Sequence, residues 1–217
     1  MEGIFLFNKP KNITSAHFLN RLKHALSFSN SKKKIGHGGT LDRFAEGLLI
    51  VAIGREFTKK LSLFLKNSKK EYLAEIEFGK SSSTLDPDGI IKISGRLPKK
   101  NEIIEILKSF PLNIPFSQTA PLYSAKKISG RRASDFAREN IKTEAKKTEV
   151  ILYDFSVLKY SPPVLKIRLL VSSGFYVRSF ARDLAKKLKT SAYLKSLIRA
   201  KIITPEKEYN LKDAKNL

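Results

Sequence analysis

A chain of 217 residues with 41% hydrophobic side chains can build one domain with a substantial core, or one domain plus a small appendage. Its 42 Lys+Arg against 20 Asp+Glu leave a formal charge of +22, an excess that repels itself in a compact state and points to a polyanionic partner. The absence of cysteine excludes disulfides and thiolate metal sites, and no apolar run nears the roughly 20 residues of a spanning helix, so nucleic acid is favoured over membrane. The start lacks the basic head and long apolar middle of a signal peptide, and a cytoplasmic protein is expected.

In chain order, Ile4–Phe7 reads as a buried strand stopping at Lys9-Pro10. Ser15 can cap a helix whose apolar positions Phe18, Leu19, Leu22, Ala25 and Leu26 follow a helical period. A polar, basic loop, Ser27 to Lys34, leads into Gly-rich Ile35 to Asp42, and the apolar run Leu48 to Ile53 fits a core strand. Tyr72 to Phe78 alternates, with Tyr72, Ala74, Ile76 and Phe78 on one face and Glu75 and Glu77 on a wet one. Asp86-Pro87-Asp88-Gly89 is a turn signal, and Ile103, Ile104, Ile106 and Leu107 mark a short helix. Beyond Pro111 to Pro121, a basic segment with Lys126, Lys127, Arg131 and Arg132 enters a helix carrying Phe136 and Ala137. Val150 to Val157 and Val164 to Val171 read as strands, and Val177, Phe180, Ala181, Leu184 and Leu188 as an amphipathic helix. Interspersed helices and half-exposed strands give the α+β class, and the absence of repeats and linkers points to one domain.

Three places could carry chemistry. Gly36-His37-Gly38-Gly39-Thr40-Leu41-Asp42 presents His37 and Asp42 on a loop whose glycines permit φ > 0 or close ligand approach; a tight turn with a capping Asp is the plainer alternative. It is not a P-loop, because the closing Lys-Ser/Thr is missing. In Gly174-Phe175-Tyr176-Val177-Arg178 the helical period buries Val177 and Phe180 and leaves Arg178 free to point elsewhere. A spare arginine beside an aspartate would hold the carboxylate ionised; the alternative is surface pairing of Arg178 with Asp183. Tyr72, in Lys70-Glu71-Tyr72, could be core alone. His17 and His24 read as surface residues of the first helix, so metal catalysis has little support, and no nucleophile-elbow pattern occurs.

These features occur together and in order in one family. The chain resembles the bacterial tRNA pseudouridine 55 synthases, the TruB family, from Gly3 to about Leu211. The resemblance runs through Asn8-Lys9-Pro10, Ile35 to Asp42, Gly47-Leu48-Leu49, Lys70-Glu71-Tyr72, Asp86 to Gly89, Pro121 to Lys126 with Gly130-Arg131, Ser173 to Arg178, and Leu197 to Arg199. It implies a pseudouridine synthase fold: a central, mostly antiparallel mixed sheet with flanking helices and an active-site cleft across it. It also implies that Asp42 is the nucleophile, that Tyr72 stacks on the target base and is implicated in proton removal, and that Arg178 pairs with the nucleophile. Tyr176 and Leu197 would line the uracil pocket, His37 support the RNA loop once the base has flipped, and Lys9 help hold the site together.

A flipped base needs an aromatic platform, and carboxylate catalysis needs an oriented Asp; no metal or organic cofactor is required. The implied partner is the T-arm of tRNA, with Lys126, Lys127, Arg131 and Arg132 expected on phosphates, no membrane and no obligate protein partner; the expectation is a monomer. The chain departs from the family at Arg43, where a proline usually follows the nucleophile, and at Gly38, which replaces a threonine. It ends at Leu217 where the catalytic domain ends, so a single catalytic domain over 1–217 without the family's C-terminal PUA domain is expected. A different class of function, an RNA-binding protein on a decayed scaffold, is opposed by the joint presence of Asp42, Tyr72, Tyr176 and Arg178; another RNA target is a third reading.

Overall fold

The unbroken apolar run expected at Leu48–Ile53 organises the chain around it. A computed structural model describes residues 2–26, 33–123, 127–128, 131–132 and 147–217, with side chains for all but 127–128 and 131–132. Strand β3 (Glu46–Ile53) is buried on both faces because successive side chains alternate between two helices. Leu49, Val51 and Ile53 pack with Phe18, Leu19 and Leu22 of helix α1 (Ser15–Ala25), and Leu48, Ile50 and Ala52 with Leu61 of helix α2 (Arg55–Phe64) and with Leu65 just beyond it. Strand β1 (Gly3–Lys9) and strand β2 (Ile35–Gly38) flank β3 antiparallel, with Phe7 opposite Leu49 and His37 opposite Val51.

An eight-stranded mixed sheet runs in the order β1-β3-β13-β4-β12-β11, with β2 on β3 and β14 on β13. Here β4 is Lys69–Phe78, β11 Leu152–Ser161, β12 Val164–Ser172, β13 Ala192–Ile203 and β14 Glu208–Asn210. The β1–β3, β2–β3, β11–β12 and β13–β14 ladders are antiparallel, whereas β3 and β13 pair in parallel at Glu46–Gly47. The architecture is the expected α+β one. By contact the chain forms two units, Met1–Leu73 with Leu197–Leu217, and Ala74–Ser196; it passes between them within β4 and β13.

The first unit holds β1 to β3, α1, α2, β14 and the adjoining parts of β4 and β13. A close backbone approach occurs at Gly47, with φ 111°, where a Cβ would lie 2.5 Å from the Arg199 carbonyl oxygen. Only glycine lets β3 and β13 pair there.

The second unit contains the hairpin of β5 (Lys80–Ser82) and β6 (Ile91–Ile93), helix α3 (Lys100–Lys108), and β7 (Phe116–Thr119) paired with β10 (Lys147–Val150). The backbones of β8 (Lys127–Ile128) and β9 (Arg131–Arg132) form a further pair. Helix α4 (Val177–Lys187) buries Val177, Phe180, Ala181 and Leu184, the expected stripe. Phe180 meets Phe110 and Phe175, and Phe116 touches both of those rings. None of the helices described is long and apolar enough to cross a membrane.

Several sequence expectations shift. Thr14, not Ser15, caps α1 by accepting from the His17 N–H. Ile35–Gly38 is strand, not loop. The strand expected over Val150–Val157 breaks at Ile151, where the Ser172 hydroxyl takes the backbone N–H; β10 and β11 then pair with different strands. Glu77 is buried rather than wet. The helix with Phe136 and Ala137 lies outside the described residues.

Candidate active site

The loop carrying Asp42 leaves the sheet where β2 ends and returns where β3 begins. On one edge of β3, β2 takes Ile50–Ile53 and β13 takes Glu46–Gly47, so residues 39–45 are extruded between two fixed ladders. Gly39 makes the turn with φ 67°, which favours glycine. Ser15 then holds the loop: its hydroxyl donates to the Leu41 carbonyl (2.9 Å) and accepts the Leu41 N–H (3.0 Å). Asp42 follows, half-buried, and its carbonyl accepts the Ala45 N–H at 3.2 Å.

Three buried cations belong to the same unit. Lys9 is fully buried; its Nζ donates to the carbonyls of Pro10 and Ile13, each at 2.8 Å. Burial pushes the Lys9 ammonium down to about 8; the charge of Asp42 opposes this, Arg199 adds to it, and Glu46 opposes it. Lys70 is pushed down to about 8 by burial first and by Arg199 second. Arg199 is fully buried on β13; its Nε donates to the Leu48 carbonyl at 2.7 Å, and its Nη1 would sit 3.2 Å from a Cβ on Gly39. The fields of these groups overlap, and the surroundings of the Asp42 loop suit an anion.

Alternation puts Tyr72 on the buried face of β4 with Lys70, and Leu197 on the buried face of β13 with Arg199. His37 is half-buried on β2. Gly38, where the family resemblance expects threonine, faces Leu65: a Cβ there would lie 1.9 Å from Leu65 Cδ1. Leu65 occupies the space a larger side chain would need.

In the second unit, Arg178 is buried, so the alternative that paired it with Asp183 on the helix surface is corrected. Asp183 bonds Arg182 instead. Arg178 ion-pairs with buried Asp86 at 3.0 Å and donates to the carbonyls of Thr84 (3.0 Å) and Tyr123 (2.9 Å). Tyr176, half-buried at the N-cap of α4, donates its N–H to Gln118 Oε1 at 2.8 Å. Lys126 lies outside the described residues, as do the side chains of Lys127, Arg131 and Arg132.

Asp86, Gln118, Arg199, Lys70 and Ser15 were not singled out as functional from sequence. Asp86 read only as a turn, although an Asp before Pro in a basic chain is also a ready partner for a buried Arg.

The fold is that of the pseudouridine synthases. In the crystal structure of a Cbf5-Nop10-Gar1 complex, the matching chain superposes with a TM-score of 0.66 at 25% identity, over 91% of this chain and 48% of that one. This chain therefore spans about half the length of that solved chain. The profile of the TruB family pseudouridylate synthases (N terminal domain) matches residues 25–177, and the chain belongs to this family. It is 39% identical to tRNA pseudouridine synthase B of Caldicellulosiruptor saccharolyticus over 93% of this chain and 67% of the relative. It is 38% identical to the enzyme of the same name from Ureaplasma parvum serovar 3, over 98% and 90% respectively.

Proposed function

We propose that the chain isomerises a uridine of tRNA to pseudouridine, at position 55 of the T-loop, with Asp42 as the nucleophile. The observation that carries the reading is a half-buried aspartate on a pinned loop beside buried cations, in a chain of this family. The relatives' name, tRNA pseudouridine synthase B, supports tRNA as the substrate.

The reaction is a rearrangement: the N1–C1′ bond breaks, a C5–C1′ bond forms, C5 loses a proton and N1 gains one. Nothing is oxidised and no atom is lost. Asp42 attacks the flipped-out uridine and holds it covalently while the base turns, which divides one difficult displacement into two easier ones. Tyr72 supplies the stacking face, Tyr176 and Leu197 line the uracil pocket, and His37 supports the opened loop. The family resemblance implies that the Arg178 guanidinium serves the nucleophile and that Lys9 helps hold the site together. The +22 charge draws in the RNA, with Lys126, Lys127, Arg131 and Arg132 on its phosphates. The test is incubation with an unmodified tRNA transcript and chemical mapping of pseudouridine. Product at the T-loop uridine is expected, and a transcript left unmodified there would refute the reading.

A further inference from the structure

We infer that Ser15 is a positioning residue for the proposed nucleophile, clamping the backbone of Leu41 through a single hydroxyl. The inference rests on the reading of Asp42 given above. Ser15 is 1% exposed at the first turn of α1, and its Oγ engages both polar groups of Leu41, 26 residues away. The helix does not need this hydroxyl, because Thr14 already caps it. The Leu41 N–H belongs to the peptide entering Leu41 and the C=O to the peptide joining it to Asp42, so one oxygen orients both planes. On the far side, Ala45 N–H holds the Asp42 carbonyl. The position of Oγ is set by a rigid core, since Phe18, Leu19 and Leu22 of α1 pack on Phe7, Leu49 and Val51. Leu41 is itself 3% exposed, so water cannot readily replace the lost hydroxyl; the loop must shift or leave two buried groups unpaired.

Small displacements of a reacting group are costly, and Ser15→Ala should lower the single-turnover rate about 10- to 100-fold. Its tRNA affinity should stay within about 3-fold, because the lost interaction serves the reacting geometry and not substrate binding. Thr14→Ala is the control: it removes the helix cap next door, with a comparable loss of stability, and leaves the clamp intact. Rates and tRNA Kd are compared for wild type, Ser15→Ala, Thr14→Ala and Asp42→Asn, well below the lowest Tm. A slow Ser15→Ala beside a fast Thr14→Ala supports the clamp. Equal rates for the two overturn it while an inert Asp42→Asn keeps the nucleophile reading. Wild-type turnover by Asp42→Asn would instead remove the reading on which the clamp rests. Should Ser15→Ala fail to fold, Ser15→Cys keeps the volume with a weaker hydrogen-bonding group, and a wild-type rate for it overturns the inference.

Discussion

Glu77 should stabilise the protein at neutral pH, and the contribution should be lost in acid. The side chain is 4% exposed and accepts from Lys80 Nζ (2.7 Å), Lys195 Nζ (2.8 Å) and the Tyr193 hydroxyl (3.1 Å). Burial pushes its carboxyl up, but the bonds from Lys195, Lys80 and Tyr193 outweigh that and hold it at about 2 instead of 4.5. A difference of that size corresponds to roughly 3 kcal/mol as an upper bound. The two lysines are 41% and 45% exposed, so water screens them. That screening leaves about 1–2 kcal/mol. The depressed value fixes the sign: the contribution is full above about 4.5 and fades as pH falls towards about 2. Glu77→Gln should therefore lower Tm by about 2–8 °C at pH 7 in a chain of this size. Urea denaturation of both proteins at pH 7 and at pH 3 checks this, with more than half of the gap expected to close at the lower pH. A Glu77→Gln protein as stable as wild type at pH 7, or a gap unchanged at pH 3, would refute the reasoning.

Gly38→Thr should destabilise by about 1–3 kcal/mol through overpacking against Leu65, and Leu65→Ala in the same chain should recover part of that in a urea titration. Gly47→Ala combines an unfavourable φ of 111° with a clash at the Arg199 carbonyl. A loss of about 2–4 kcal/mol by thermal denaturation is expected, and a neutral result would contradict the close β3–β13 approach. Neutralising Lys126, Lys127, Arg131 and Arg132 together should flatten the salt dependence of tRNA binding by about one unit of log–log slope per lost phosphate contact, read by filter binding at several salt concentrations.

What the sequence displayed best was burial with a simple period. The run Leu48–Ile53, the alternation from Val164 to Val171 and the stripe on α4 all became the elements expected, because apolar side chains dominate their energetics. Elements with mixed chemistry stayed hidden. Helix α2 sets Phe57, Leu61 and Phe64 at helical spacing against the core, but only Leu61 is fully buried and charged residues stand between them, and β13 carries Lys195, Arg199 and Lys201 along a 12-residue strand. The partners of buried charges were the least visible: β1 ends at Lys9 as expected, but the two carbonyls that satisfy its ammonium, and the Asp86 carboxylate and two carbonyls that Arg178 reaches, have no signature in the pattern. Those partners are distant or backbone groups, which residue patterns do not reveal. The Asp42 loop was legible from its glycines, but the hydroxyl that pins it comes from a residue that looked like a helix cap.

The most direct test of the central claim is single-turnover conversion of a tRNA transcript by Asp42→Asn, with tRNA affinity measured on the same preparation. The account predicts binding close to wild type and no pseudouridine, because Asn keeps the shape of the side chain and removes the carboxylate charge that makes its oxygens nucleophilic. Pseudouridine formed at the wild-type rate would contradict it.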